Sequence, residues 1–264
     1  MIYKMKFQVI SDIHLEYYDK LPELNYFFTV SAHNLILAGD ICYYQHPNFM
    51  IFFNKVSKLF DNVFFIPGNH DYYAYNKLPD IHFDEIDFVM KNNLSCLKNV
   101  HFIQENFIEF ENTIIFGTTL WCNTTKTNND TDVKLLTNEY YIKTKHKYAP
   151  SYKYIKELNT RQYNWLKNSI QHLYTHKHII VVTHYLPSIK CINKKYKNNS
   201  NNDLYFTDCE DIMKYAHIWI AGHTHDPFIG NINNCQVLVN PRGDPTENTG
   251  YNEQLIFNTH RAHL

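Results

Sequence analysis

Short apolar runs that break off in polar clusters recur along the chain. FQVI leads into Ser11-Asp12-Ile13-His14, NLILA into Gly39-Asp40, and NVFFI into Pro67-Gly68-Asn69-His70-Asp71. Further on, HIIVVT leads into His184 and HIWIA into Gly222-His223-Thr224-His225. By length and β-branched content these runs read as buried strands of four to six residues. Between them, apolar residues return at helical spacing over 49–60, 84–97 and 160–174. Thr207-x-x-Glu210 reads as a capping box that opens a short helix towards Tyr215. Strands alternating with helices imply an α/β domain with a largely parallel sheet.

Other segments are antiparallel in pattern. Residues 107–110 and 113–116 flank Glu111-Asn112, 228–232 and 236–239 flank Asn233-Asn234, and each set reads as a hairpin. A last strand is expected at 255–257. Two stretches, 122–150 and 185–203, read as long loops. No internal repeat or linker interrupts the pattern, so one domain over 1–264 is expected.

Net charge changes the picture little but excludes one class. The 25 basic and 26 acidic residues of the 264 leave −1, so no global field would hold the protein on nucleic acid or an anionic membrane. Glycine says more. There are only seven, and a chain that avoids glycine keeps it where the backbone has no substitute; Gly39, Gly68 and Gly222 all adjoin the polar clusters. The six cysteines are scattered without a CxxC, which reads as reduced thiols in an intracellular, cytoplasmic protein. No run approaches the ~18 apolar residues of a membrane span, and the strand at 6–10 leaves no room for a signal peptide.

The strand exits together carry Asp12, His14, Asp40, Asn69, His70, Asp71, His184, His223 and His225. Open α/β sheets bind ligands beyond the carboxyl ends of their strands. Three carboxylates, one amide and five imidazoles cannot converge there without a counter-charge, and divalent cations supply one. Imidazole and carboxylate without thiolate suit Mn, Fe, Zn or Co, and the ligand supply exceeds the need of one ion, so two are expected.

In this order and spacing the blocks Asp12-x-His14, Gly39-Asp40, Gly68-Asn69-His70-Asp71, His184 and Gly222-His223-x-His225 resemble the motif set of calcineurin-like metallophosphoesterases. SDIHLE, PGNHDYY, GTTLW at 117–121 and Asn240-Pro241-Arg242-Gly243 resemble one bacterial-type branch. The resemblance implies a four-layer α/β-β/α sandwich of two mixed sheets flanked by helices. It also implies roles. Asp12, His14 and His225 would hold one metal, Asn69, His184 and His223 the other, and Asp40 would bridge them. His70 would stand beyond the metals as the catalytic imidazole, oriented by Asp71. Many relatives carry an acidic residue three positions after the bridging Asp, where this chain has Tyr43.

The chemistry so implied is hydrolysis of a phosphomonoester or phosphodiester by a hydroxide bridging two divalent ions. No Cys-x5-Arg motif provides for a covalent phosphoenzyme. A nuclease is the alternative enzyme, disfavoured by the net charge, and a non-catalytic scaffold of the same fold is the alternative outside catalysis. A phosphate-ester small molecule or nucleotide is the expected partner. Arg242, Lys190, Lys194 and Trp121 are the candidate substrate contacts, since guanidinium suits phosphate and the lysines of 190–197 follow a metal ligand.

Overall fold

The computed structural model describes residues 5–73, 83–124, 142, 150–173 and 177–259. Its first sheet contains β1 (Lys6–Ile10), β2 (Asn34–Ala38), β3 (Asn62–Ile66) and β4 (Val100–Phe102), all parallel. The second is built on β6 (Thr113–Thr118), β7 (His178–Thr183), β8 (Ile218–Ala221) and β10 (Cys235–Val239), again parallel. Antiparallel strands close three edges: β5 (Asn106–Phe110) on β6, β9 (Phe228–Ile232) on β10, and β11 (Ile256–Asn258) on β1. The spatial orders are β11-β1-β2-β3-β4 and β5-β6-β7-β8-β10-β9.

The alternation of side chains explains why the inner strands are apolar throughout. Val9, Ile36, Ala38, Phe64 and Ile66 point from the first sheet to meet Ile115, Ile180, Val182, Ile220 and Leu238 of the second. Their neighbours point outward beneath helices. Leu35, Leu37, Val63 and Phe65 pack with Phe49, Phe52, Phe53 and Val56 of α1 (Pro47–Val56) and with Ile86, Met90 and Leu94 of α2 (Phe83–Leu94). On the other side Ile179, Val181, Trp219 and Ala221 pack with Leu166 and Ile170 of α3 (Tyr152–His172) and with Ile212 and Met213 of α4 (Glu210–Met213). Strands covered on both faces need no polar side, which is the physical content of the unbroken apolar runs. The result is the expected four-layer α/β-β/α sandwich.

Local chemistry moves several boundaries. α1 starts at Pro47, whose missing N–H suits the first helical position, with His46 Nδ1 accepting the Asn48 N–H at 3.1 Å. α3 starts eight residues before the periodic pattern does, because Ser151 Oγ accepts the Tyr154 N–H and caps it. The expected capping box does not form. Thr207 Oγ1 instead donates to the Trp121 carbonyl at 3.0 Å, and Asp208 Oδ1 accepts the Glu210 N–H. Within 185–203 the chain makes three single 3-10 turns, at Ile189–Cys191, Lys194–Tyr196 and Asn202–Leu204. Most of the loop expected at 122–150 lies outside the described residues. No helix among the described residues is long and apolar enough to cross a membrane.

The two sheets are stitched where their parallel strands end. Ser11 pairs with Pro241, Asn240 Nδ2 donates to the Val9 carbonyl at 2.8 Å, and the Gly243 N–H donates to the Asp12 carbonyl at 2.9 Å. The carboxyl ends of β1, β2, β3, β7, β8 and β10 therefore meet along one edge.

Candidate metal centre

Five of the residues at these ends leave their strands in the left-handed region: Asp12, His14, Asp40, His223 and His225 have φ of 53°, 51°, 54°, 75° and 51°. A non-glycine residue there costs on the order of 1–3 kcal/mol, and such conformations persist only where the surroundings over-determine them. Here they are held by backbone bonds between exits. Asp12 N–H donates to Gly39 O at 2.9 Å, His14 N–H to Asp40 O at 3.1 Å, and Gly222 N–H to His184 O at 2.9 Å. Gly39, itself at φ 85°, has no room for a side chain: a Cβ would run into the His184 ring and come within 2.7 Å of Gly68 Cα. A Cβ on Gly222 would lie 2.6 Å from Asp12 Oδ2.

Asp12, His14 and His225 form the first cluster, their ligand atoms all within 4.8 Å of one another. His14 Nδ1 donates to Glu16 Oε1 at 3.0 Å, and His225 Nδ1 donates to Glu247 Oε2 at 2.5 Å. With both Nδ1–H groups so committed, the two Nε2 atoms face each other at 3.0 Å. Two lone pairs at that separation require a cation or a proton between them. Asp12 Oδ1 accepts the His223 N–H, while its buried Oδ2 has no hydrogen-bond partner. A buried carboxylate oxygen in that state fits a cation that it would ligate.

Asp40, His184 and His223 form the second cluster, also within 4.8 Å, with Asn69 beside them. His184 Nδ1 donates to the Ala38 carbonyl at 2.9 Å, which turns Nε2 towards Asp40 Oδ2 at 3.2 Å and Asn69 Oδ1 at 3.0 Å. Asn69 Nδ2 donates to the Tyr73 hydroxyl at 2.8 Å, so its carbonyl oxygen is the end turned inward. His223 is sandwiched by tyrosines, its ring centroid 4.0 Å from that of Tyr185 and 5.4 Å from that of Tyr205. Asp40 Oδ2 also lies 3.9 Å from His14 Nε2, between the two clusters. Asp40 Oδ1 accepts the His70 N–H at 2.8 Å.

The charges respond to this crowding. Burial works to raise the Asp40 pKa, yet His184, His70 and His14 outweigh it and hold it well below the carboxylate range. For His184, burial opposes the charged form, but Asp40 and Asp12 push it up to about 9. Burial and the neighbouring His184 drive His223 well below the usual imidazole value, which keeps it neutral and able to ligate. A set that alternates carboxylates with imidazoles, each imidazole presenting one nitrogen, fits two divalent cations.

His70 lies beside the first cluster, its ring 4.5 Å from that of His14. Its orienting partner is not the expected one. Asp71 does not contact the imidazole: Oδ2 accepts the N–H groups of Asp40 (2.8 Å) and Gly68 (2.7 Å), and Oδ1 those of Ile41 (3.1 Å) and Cys42 (3.0 Å). A carboxylate with four backbone donors sets the shape of two loops. Burial and the Asp40 charge nevertheless push its pKa up, against the pull of the Cys42 and Gly68 N–H groups. The His70 imidazole donates instead to Glu16 Oε1, at 2.9 Å from Nδ1. Burial would raise the Glu16 pKa, but His14 and His70 prevail and lower it. Tyr43, at the position where relatives carry an acid, places its ring 6.0 Å from that of His70. Glu16, Tyr73 and Glu247 are thus site residues that the sequence reading missed. For Glu16 a signal was present, an acid two residues after His14. Only the left-handed His14 and the 3-10 turn Leu15–Tyr17 fold it back beside that ring.

Beside His223 and His225 opens a cleft of about 320 Å³, walled by Ile192, Asn193, Tyr196, Asn199, Tyr205 and Glu247 among others. The 185–203 segment therefore borders the site, but not through its lysines. Lys190 Nζ is held by Glu210 Oε2 at 2.6 Å and Lys195 Nζ by Asp226 Oδ1 at 3.0 Å; Lys194 is exposed, and neither it nor Lys190 lines the cleft. Arg242 also differs from expectation. Its guanidinium faces the rings of Tyr26 and Phe27, with centroids at 5.0 and 5.2 Å, where a cation is favoured by the ring faces. Trp121 is 1% exposed and packs on Tyr72, Phe83 and Tyr185, one side chain removed from His223.

Comparison with known proteins agrees with this fold. The family model of calcineurin-like phosphoesterases matches residues 5–227. An uncharacterized protein of Acanthamoeba polyphaga mimivirus is 28% identical over 266 residues, covering 92% of each chain. The crystal structure of a phosphopantetheinyl hydrolase from Mycobacterium tuberculosis superposes with a TM-score of 0.70 at 15% identity, covering 92% of this chain and 90% of that one. A Thermus thermophilus protein gives a TM-score of 0.54 at 11% identity, with 92% and 90% covered. The chain belongs to the calcineurin-like phosphoesterase family.

Proposed function

We propose that this calcineurin-like phosphoesterase hydrolyses phosphomonoesters or phosphodiesters at a dinuclear centre. Asp12, His14 and His225 hold one divalent cation, Asn69, His184 and His223 the other, and Asp40 contributes to both. The observation that carries this reading is the place of Asp40 Oδ2, 3.9 Å from His14 Nε2 and 3.2 Å from His184 Nε2. One carboxylate thus serves an imidazole of each cluster. Mn, Fe, Zn or Co suits the donors, which include imidazole, carboxylate and amide oxygen and no thiolate. Such ions, when bound, polarise the phosphoryl oxygens and lower the pKa of water.

The chain's own residues do the rest. Asp40, kept ionised by its histidines, offsets the repulsion of two cations. Glu16 ties the His14 ring and the His70 ring to one carboxylate oxygen. In this reading the His70 ring, held through Nδ1 by Glu16, delivers a proton to the departing oxygen. Lys190, held by Glu210, and Lys194, exposed and outside the cleft lining, act at most as distant charges on an approaching anion.

The test is hydrolysis of a panel of p-nitrophenyl monoesters and diesters with Mn²⁺, Ni²⁺, Mg²⁺ or EDTA, alongside elemental analysis. Metal-stimulated turnover and close to two ions per chain are expected. Trace metal only, with no metal-stimulated hydrolysis of any ester, overturns the proposal.

A further inference from the structure

The cleft next to the metal centre has a wall chemistry that the hydrolase reading does not use. Its lining includes neither lysine nor arginine. Two carboxylates face it, Asp226 and Glu247, each already bonded: Asp226 by Lys195 Nζ and by Asn193 Nδ2 at 2.8 Å, Glu247 by His225 and by the Asp244 N–H at 2.8 Å. The Lys195 ammonium beside these walls is taken up by Asp226 and lies 4.7 Å from the centroid of the Tyr196 ring. A second phosphate of a substrate would therefore meet carboxylates and no unpaired lysine or arginine among the lining residues.

What the walls do offer is ring surface. Tyr196 and Tyr205 are 46% and 37% exposed, though tyrosine gains from burying its ring. The turn that presents Tyr196 is fixed, since Asn202 Nδ2 donates to the Tyr196 carbonyl at 2.8 Å and Asn193 Oδ1 accepts the Lys195 N–H at 3.1 Å. Tyr205 is fixed as well, its carbonyl accepting the Leu186 N–H at 3.2 Å and its ring lying against His223. Asn199 adds an amide to the same wall, its Oδ1 accepting the Asn201 N–H. At about 320 Å³ the cleft is at the small end of ligand sites.

We propose that this cleft receives the uncharged, flat heteroaromatic group of the ester, so that the substrate is a nucleoside monophosphate. The proposal rests on the hydrolase reading for the phosphate and on the cleft alone for the nucleoside. Rings that stack on a base hold it through its π-face without reading its identity. Little discrimination among bases follows. Nucleoside triphosphates and oligonucleotides are poor substrates, because they bring further negative charge to walls lined by two carboxylates and by no lysine or arginine, the adjacent Lys195 ammonium being engaged by Asp226.

The experiment compares kcat/KM of the Mn²⁺-loaded protein for AMP, β-glycerophosphate, ATP and a short single-stranded oligonucleotide. AMP is expected to exceed β-glycerophosphate by about tenfold or more, and Tyr196→Ala and Tyr205→Ala to reduce that ratio at least fivefold through KM. Metal content of each variant is measured in parallel, so that a lost ion is not read as a lost stack. Fluorescence titration with adenosine, which has no phosphate, reads the cleft without any chemistry. Adenosine binding that weakens in both variants supports the cleft even if no ester is hydrolysed, in which case the hydrolase reading fails by itself. Hydrolysis of simple esters without adenosine binding, a ratio unchanged by both variants, or equal turnover of ATP and AMP overturns the proposal.

Discussion

Glu16 and His70, 54 residues apart in sequence, share a hydrogen bond of 2.9 Å in the interior, and the same carboxylate oxygen takes His14 at 3.0 Å. One acid therefore orients a metal-ligand imidazole and the imidazole proposed for proton transfer. Glu16→Gln removes the charge and turns one acceptor into a donor. Outer partners of metal ligands are typically worth 10–100-fold in affinity or activity. The variant is expected to lose that much in Mn²⁺ affinity by titration and in kcat together. A variant that binds metal and turns over ester like the parent would remove Glu16 from the site.

Asp71 predicts a different phenotype. However the amide of Asp71→Asn is placed, its NH₂ meets two of the four N–H groups that the carboxylate now accepts, those of Asp40, Ile41, Cys42 and Gly68. Leaving two buried donors unsatisfied costs about 1–3 kcal/mol apiece, offset in part because the variant also removes a charge that burial and the Asp40 carboxylate disfavour. Urea unfolding should show a loss of about 2–4 kcal/mol, which His70→Asn does not share. Unchanged stability would contradict the loop-shaping role.

The strand exits were legible in the sequence because strands buried on both faces are apolar without alternation. The polar residue that ends each run is therefore conspicuous, as Asp40 after NLILA shows. That HIIVVT and HIWIA belong to a different sheet from FQVI was not legible, since pairing across sheets leaves no local mark. Glu16 and Glu247 escaped for a related reason. They reach His14 and His225 through a reversed backbone and through a contact 22 residues long, and neither is periodic. Arg242 was a candidate phosphate contact on its guanidinium chemistry alone. Its guanidinium instead lies over Tyr26 and Phe27, aromatic residues whose approach no spacing announces.

Asp40→Asn tests the shared ligand. A neutral amide offsets less of the repulsion between two cations and offers a weaker donor to both. Elemental analysis should find both sites depleted, whereas His223→Asn should deplete chiefly one. Full occupancy in Asp40→Asn would show that the carboxylate serves neither ion.

Away from the metals, Asp87 gives a pH dependence. It accepts the Tyr72 hydroxyl at 2.6 Å, and burial, aided by the Glu105 charge, pushes its pKa up to about 6. An acid whose folded pKa is raised is more readily protonated in the native state. Its penalty is absent below the unfolded value near 4 and complete above about 6, so stability from this group falls as pH rises between them. Asp87→Asn keeps an acceptor for Tyr72 and removes the charge. The stability gained, read from urea midpoints, should be near zero at pH 4 and about 1–3 kcal/mol at pH 7.5. A gain independent of pH would mean that Asp87 carries no such penalty.

His70→Asn separates binding from chemistry. The seven proposed ligand side chains are untouched, and the backbone N–H of residue 70 still donates to Asp40 Oδ1. Both metals should stay bound while kcat falls by about 10²–10⁴, the usual contribution of a positioned acid or base. The loss should depend on the ester. A p-nitrophenolate leaves without help, whereas an alkoxide needs a proton, so alkyl esters should suffer more than aryl esters. The Glu16 bond sharpens the expectation, because it holds the ring by Nδ1. Glu16→Gln should then reproduce part of the alkyl-specific loss, and combining it with His70→Asn should add little to that loss, since the carboxylate acts on the leaving group only through the ring. Equal losses on alkyl and aryl esters would make His70 a stabiliser of phosphoryl charge instead of an acid, and losses that multiply fully in the double variant would separate Glu16 from proton transfer.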